Sequence, residues 1–210
     1  MTGVQTCALP ICIRSRGWLV WDLHFGLEPD DLEYLHAVDP AQLERIRGLA
    51  VSDRLIAGLD IYPVSITPVD GPRPDWTTET LVDLARTEIE RWHDRYGHPF
   101  WIAETSNLTL ATDQQVPWLD AWAVALAHLR ADGRPARGLC WYSRGDQFDW
   151  QTALVEPTGA VTEVGLFDAD RNPRAVAARF REHAAGGAPA MPPASSSEWA
   201  ARDSNPEPAD

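Results

Sequence analysis

Cysteines, basic side chains and long apolar runs are all scarce in this sequence of 210 residues. Three cysteines without CxxC spacing provide neither a disulfide framework nor a metal-binding motif. The 18 Lys and Arg against 31 Asp and Glu give a formal net charge of −13, which argues against a nucleic-acid or anionic-membrane surface. No apolar run approaches the length of a membrane span. We therefore expect a soluble, cytoplasmic protein without nucleic-acid or membrane partners.

Motifs for cofactors and metals are also missing. Neither GxGxxG nor GxxxxGK[ST] occurs, which argues against a nucleotide site of the Rossmann or P-loop type. The six histidines show no HxxxH or other paired metal spacing. We expect no metal and no organic cofactor.

The two ends of the chain differ from its middle. Residues 2–11 resemble the translation of a common sequencing adapter, and residues 201–208 resemble the translated antisense strand of a tRNA arm. Residues 184–197 are small, Pro-rich and aperiodic, so they cannot bury enough apolar surface to offset the entropy of ordering. We expect residues 1–12 to be non-native, 13–184 to hold one folded domain, and 185–210 to be a disordered tail.

Apolar periodicity in that domain predicts strands alternating with helices. The strands fall in Leu55–Tyr62, Pro99–Ala103 and Gly138–Tyr142, and the helices in Thr77–Tyr96, Trp118–Leu129 and Pro173–His183. Helical pieces precede them between Trp18 and Leu49. Such alternation indicates an α/β fold with a parallel sheet, either open or part of a barrel. Polar and aromatic residues after each strand favour the barrel, although the chain is short of the ~250 residues of a complete one.

Candidate chemistry lies after the second and third strands. Glu104 directly follows apolar positions, where a carboxylate must be partnered or have a function. The alternative for Glu104 is a helix cap or a salt bridge. The third strand leads into a loop of aromatic, amide and charged side chains between Trp141 and Trp150. Sugars need such a mixture, since their C–H faces stack on aromatic rings and their hydroxyls bind carboxylates and amides. Packing alone is the alternative for the tryptophans.

Four motifs then resemble family 1 glycoside hydrolases and related (β/α)8-barrel retaining glycosidases. They are Asp60-Ile-Tyr62, Ile102-Ala-Glu-Thr-Ser106, Trp141-Tyr-Ser143 with Asp146-Gln-Phe-Asp-Trp150, and Gly165 to Arg174. The resemblance covers about residues 56–183. It implies that residues 13–184 are the C-terminal part of a TIM barrel, with about the sixth to eighth strands. It also implies retaining cleavage of O-glycosidic bonds of a carbohydrate substrate through a covalent intermediate.

The resemblance assigns roles to individual residues. Glu104 matches the nucleophile and Tyr62 the tyrosine that orients it. The predicted substrate-binding residues are Trp141 as the sugar platform, Asp149 and Trp150 as the pair that reads sugar hydroxyls, and Arg144, Asp146, Gln147 and Asn107 around them. Asp60, Gln147 and Asp149 depart from the family's Asn, Asn and Glu, and the loop after the third strand is one residue longer. These departures leave the substrate open.

The catalytic acid of the family, in an Asn-Glu after its fourth strand, has no match because no Asn-Glu occurs in this chain. We therefore expect the acid to lie upstream in a longer parent, and the chain alone to be inactive and poorly folded, with an unpaired strand edge. Two alternatives remain open, a non-catalytic carbohydrate-binding barrel and the barrel domain of a nucleotide-sugar enzyme. The sequence indicates no oligomeric state.

Overall fold

The structure, a computed structural model, describes residues 21–27, 39–48, 55–66 and 77–186. The predicted adapter-derived segment and nearly all of the predicted tail lie outside the described residues. Residues 21–25 are helical. The other helices are α1 (Pro40–Gly48), α2 (Thr78–Tyr96), α3 (Gln115–Ala131) and α4 (Ala175–Ala185). The strands are β1 (Ala57–Asp60), β2 (Phe100–Thr105), β3 (Ala136–Trp141), β4 (Gln147–Phe148) and β5 (Val161–Thr162).

Strands β1, β2 and β3 form a parallel sheet in that order. The predicted α/β fold and the alternation of strands and helices are confirmed. Parallel neighbours require crossover connections, which α2 and α3 provide. Strands β4 and β5 form a separate antiparallel pair within the loop that follows β3. In the described residues, β1 and β3 each pair along one edge only.

Local signals set the ends of α2 as the sequence predicts. The Thr77 side chain accepts a hydrogen bond from the Thr80 amide at 3.2 Å, which satisfies one of the free N–H groups of the first turn. Gly97 ends the helix with φ of 68°, a left-handed conformation that glycine adopts without steric cost.

One face of the sheet, the helix face, packs against α2, α3 and α4. Ala57, Leu59, Phe100 and Ile102 point into this core, each at most 4% exposed. Trp118 on α3 is fully buried, and its Nε1 donates a hydrogen bond to the Thr105 hydroxyl at 2.8 Å. This bond ties α3 to the end of β2. Aromatic burial of this size dominates the stability of a small core.

The opposite face, the open face, carries Gly58, Asp60, Trp101 and Glu104, and among the described residues no layer of helices covers it. Trp101 is 40% exposed. A Cβ on Gly58 would lie 3.0 Å from the Ala103 Cβ and 3.2 Å from the Trp101 Nε1, so the indole crosses β1 at the glycine. The two faces therefore differ in cover as well as in composition.

A buried ion pair joins the helical residues 21–25 to α2. Asp22 is 1% exposed and accepts hydrogen bonds from the Arg95 Nε and Nη2 at 2.8 and 2.9 Å. The Tyr96 hydroxyl donates a third at 2.8 Å. A buried carboxylate with three donors meets the requirement that buried charge be paired and hydrogen-bonded.

Candidate active site at the carboxyl ends of the strands

An irregularity in β2 decides which face Glu104 occupies. Leu59 pairs with Ile102, but the next residue of β1, Asp60, pairs with Glu104, so β2 has one extra residue at Ala103. Since side chains alternate along a strand, a regular register would have placed Glu104 on the helix face. The extra residue instead turns it onto the open face beside Asp60. Bulges that re-aim a side chain are common next to active sites.

Tyr62 holds the Glu104 carboxylate from the neighbouring strand. Its backbone is extended at the point where Pro63 begins a short 3-10 helix, and its hydroxyl donates to the Glu104 Oε2 at 2.8 Å. Burial and this bond raise the pKa of Tyr62 well above its usual value. The phenol is therefore neutral and can serve as a donor. The two predicted catalytic residues thus meet in the structure.

Asp60 is a third ionisable group at this edge. It is the Cα partner of Glu104 across β1 and β2. Burial, together with the charge of Glu104, raises the pKa of Asp60. Sequence reasoning noted Asp60 only as a departure from a family motif. The sequence signal was present, because an acid two residues before Tyr62 falls on the same face of a strand.

The structure corrects the assignment of Trp141. Its side chain is 5% exposed, and its Nε1 donates to the Val164 carbonyl at 2.9 Å, so it is a buried anchor and not an open sugar platform. The next residue, Tyr142, is near enough to Glu104 that burial and that carboxylate raise its pKa. Tyr142 is thus the aromatic residue on the Glu104 side. When Tyr142 and not Trp141 is aligned with the family's tryptophan, the loop up to Trp150 has no extra residue.

Trp150, eight residues later in the chain, packs against Tyr142. Its ring stacks on Tyr142 with centroids 5.4 Å apart and planes at 14°. The pair forms a flat aromatic surface next to Glu104. Sequence reasoning placed Trp150 near a sugar but did not find Tyr142, because the parity of residues 141 and 142 depends on the register of β3.

Two other predicted binding residues, Arg144 and Gln147, lie on the same loop. Arg144 is exposed, and its guanidinium lies 5.9 Å from the centre of the Phe167 ring. The Gln147 Nε2 donates to the Ser143 hydroxyl at 2.7 Å, which holds the half-buried amide. The assignment of both residues to substrate binding stays a prediction.

Asp146 lies inside the loop and not on its surface. Its side chain is 1% exposed and forms an ion pair with Arg174. Its Oδ1 also accepts a hydrogen bond from the Gly165 amide at 2.9 Å. Both oxygens of this carboxylate are therefore occupied by contacts that join the two ends of the 146–174 segment. This corrects the assignment of Asp146 to substrate binding.

Asn107 is corrected for the same reason. It is 2% exposed, and its Nδ2 lies 3.2 Å from the Leu110 carbonyl and 3.3 Å from the Glu163 carbonyl. The side-chain amide of Asn107 therefore holds two backbone segments together. It links the loop after β2 to the segment that follows β5.

Asp149 is partly committed to its own loop. Its Oδ1 accepts from the Thr158 hydroxyl at 2.7 Å and from the Thr158 amide at 2.8 Å. The Thr158 hydroxyl is the main cause that lowers the pKa of Asp149. One carboxylate oxygen is therefore used to close the loop. The role of Asp149 and Trp150 in binding sugar hydroxyls stays a prediction.

In the described ranges, no group of three or more His, Cys, Asp or Glu side chains could hold a metal ion. None of the described helices has the length and apolar character needed to cross a membrane.

Sequence comparisons find no match for the chain, either among protein-family models or among curated proteins. Solved structures do resemble it. A β-glucosidase from Exiguobacterium marinum matches 80% of this chain with a TM-score of 0.56 and 16% identity. A β-glycosidase from Pyrococcus horikoshii matches 60% with a TM-score of 0.43 and 19% identity.

The chain spans less than half of these proteins, 44% of the first and 33% of the second. At these identities the likeness concerns the fold alone. The resemblance predicted from the four motifs is confirmed at that level: over 80% of its length, the chain has the fold of part of a β-glucosidase.

Proposed function

We propose that this chain is the catalytic C-terminal part of a retaining β-glycosidase, with Glu104 as the nucleophile. On this proposal, β1 to β3 are about the sixth to eighth strands of a (β/α)8 barrel, and residues 13–184 belong to that domain. The substrate is a carbohydrate with an O-glycosidic bond.

The observation that carries the proposal is the hydrogen bond from Tyr62 to Glu104 at the carboxyl ends of two parallel strands. In barrel enzymes the catalytic residues lie at this end of the strands. A neutral phenol donor holds one carboxylate oxygen and leaves the other available for attack. A salt-bridged structural Glu, the alternative reading, would need a cation, and no Lys or Arg pairs with Glu104 among the described residues.

The chemistry of such a site divides between two carboxyl groups. A Glu104 oxygen would bond to the anomeric carbon as the glycosidic C–O bond breaks, and the leaving oxygen would take the electron pair. An ordinary alkoxide leaving group needs a proton from an acid about 5 Å from the nucleophile in a retaining enzyme. We place that acid in a preceding part of a longer protein.

The proposed sugar site uses the aromatic surface of Tyr142 and Trp150. Sugar C–H faces would stack on these rings, while Arg144, Gln147 and the free oxygen of Asp149 would bind hydroxyls. The loop is held in place by the buried side chains of Asp146, Asn107 and Trp141, which hydrogen-bond the backbone of residues 163–165.

A mechanism-based label tests the role of Glu104 without requiring an acid. 2,4-Dinitrophenyl 2-deoxy-2-fluoro-β-D-glycosides release a leaving group that needs no protonation, and the fluorine slows hydrolysis of the glycosyl ester. The chain would be incubated with the gluco, galacto and manno forms, then analysed by intact mass and peptide mapping. We expect a single adduct on Glu104 with at least one probe.

The matched control uses two Glu→Gln variants. Glu104→Gln should form no adduct, whereas Glu79→Gln, on the exposed first turn of α2, should label as the parent does. In a chain whose circular dichroism shows the helix content of the structure, no adduct with any of the three probes, or an adduct on a different carboxylate, would overturn the proposal. A probe-dependent change in tryptophan fluorescence without an adduct would instead favour a carbohydrate-binding role.

A further inference from the structure

Asp60 and Glu104 bring two carboxyl groups to the same point of the open face. Adjacent parallel strands lie about 4.8 Å apart, and side chains of Cα partners extend on the same side of the sheet. Two carboxylates on the same face of adjacent strands repel each other when both are ionised, so the pair favours keeping one proton. The geometry therefore raises the question of which residue carries the proton.

The hydrogen-bond donors around the pair differ. Glu104 accepts the bond from the Tyr62 hydroxyl at 2.8 Å, so one of its carboxylate oxygens already has a donor. Within the described residues no donor bonds the Asp60 carboxyl, and no cation forms an ion pair with it. The titratable groups that face Asp60 are Glu104 from β2 and Tyr62 from its own strand end. Burial and the charge of Glu104 raise the pKa of Asp60, whereas Tyr62 is a neutral phenol.

We propose that Asp60 is the proton-holding partner of Glu104: it stays a neutral carboxylic acid while Glu104 carries the single negative charge of the pair. As a neutral acid it has an O–H that can donate to a ligand oxygen in the site, which an ionised carboxylate cannot do. The arrangement also spares Glu104 a second negative charge at its side.

A second consequence rests on the proposed function. When a Glu104 oxygen bonds to the anomeric carbon and dinitrophenolate leaves with the electron pair, Glu104 becomes a neutral ester. The charge that held the proton on Asp60 is then gone. Asp60 should release that proton to solvent more readily in the labelled protein than in the free one.

Carboxyl NMR tests the pair directly. The 13C carboxyl resonances of aspartate would be followed across a pH titration in the parent chain and in Glu104→Gln, which keeps an oxygen that can accept from Tyr62. We expect Asp60 to titrate above the ordinary aspartate range in the parent and to shift toward that range in Glu104→Gln. Asp168, whose carboxyl bonds Asn172 in a distant turn, is the matched control and should titrate identically in both.

A ligand measurement adds a readout that a merely structural Asp60 would not affect. The affinity for the fluoroglycoside that labels best would be measured against pH, under conditions where labelling is slow. Binding should weaken in the parent as pH rises through the Asp60 titration and should stay level in Asp60→Asn, whose amide keeps a donor at every pH.

The outcomes separate the two proposals. An Asp60 titration in the ordinary range, or one that is unchanged in Glu104→Gln, overturns the carboxyl pair whatever the labelling result. A shifted and coupled titration without any adduct on Glu104 leaves the pair in place and overturns the glycosidase. If Glu104→Gln fails to fold, the labelled parent provides the same comparison without a substitution, and an unmoved Asp60 there counts against the pair.

Discussion

The helix face and the open face of the sheet belong to the same three strands but differ in almost every property. The helix face presents Ala57, Leu59 and Ile102, which are buried and have no polar side-chain atoms. The open face presents a glycine, a half-exposed indole and two carboxyl groups. Strand parity therefore separates the apolar side chains from the ionisable ones, and a single extra residue in β2 can move a carboxyl group from one face to the other.

The largest expected contrast is between two tryptophans on the two sides of the sheet. Trp118→Ala should lower the free energy of unfolding by about 3–5 kcal/mol, because it removes a fully buried ring and leaves a cavity. Trp101→Ala on the open face should cost less than about 1 kcal/mol. Urea unfolding followed by circular dichroism measures both. Equal losses would show that the open face is as much a part of the core as the helix face.

Tyr62→Phe should alter the chemistry and leave stability nearly unchanged. Without the Tyr62 hydroxyl, the Glu104 carboxylate is no longer held in one orientation. Misplacement of a reacting group by about 1 Å can cost roughly 100-fold in rate, so Glu104 labelling should slow by about 10- to 100-fold. Time-resolved intact mass gives the rate, and urea unfolding gives the stability. Tyr142→Phe is the control, since it keeps the ring that stacks on Trp150. A loss of stability without a change in labelling rate would contradict the separation of roles.

The smallest expected effect compares Asp120 in the helix layer with Asp60 on the open face. Burial acts to raise the pKa of Asp120, but hydrogen bonds from Arg179 and His183 outweigh it and lower that pKa. Stability from Asp120 is therefore present above the ordinary aspartate value and lost as pH falls through the lowered one. Asp60 has the opposite shift, so its contribution is present below the ordinary value and lost as pH rises through the raised one.

Unfolding free energies measured against pH distinguish the two aspartates. Asp120→Asn should remove the loss of unfolding free energy that occurs at pH values below the ordinary aspartate pKa. Asp60→Asn should remove the loss that occurs at pH values above it. The Asp120 effect should stay below about 1 kcal/mol because Asp120 and Arg179 are 35% and 41% exposed. If both variants changed the dependence of unfolding free energy on pH in the same direction, the contrast between the paired Asp120 and the unpaired Asp60 would be wrong.

Local signals explain how much of the fold could be predicted. The cap at Thr77, the left-handed Gly97 and the apolar spacing of α2 act over a few residues, so α2 was predicted nearly to the residue. The apolar spacing of α3 predicted the helix, but the structure extends it by three residues at its start and two at its end. The Tyr62–Glu104 pair was predicted by resemblance to a family motif. Its geometry required the two strands to be neighbours.

Contacts between distant residues account for what sequence reasoning missed. Asp146 resembles a surface acid until its partner Arg174, 28 residues later, is brought against it. The exchange of roles between Trp141 and Tyr142 depends on irregular register along β3, where Phe100 pairs with Ala136 but Ile102 pairs with Leu139. Neither feature leaves a periodic trace in the sequence.

By itself, the sequence determined the order of strands and helices, the apolar face of each, and a group of acids and aromatic residues that follow the strands, because propensity and periodicity act over short distances. Only the tertiary structure decided that Glu104 and Asp60 share a face, that Tyr142 and not Trp141 lies beside them, and that Asp146 is a structural ion pair. Those decisions rest on register and burial, which arise when distant segments pack together.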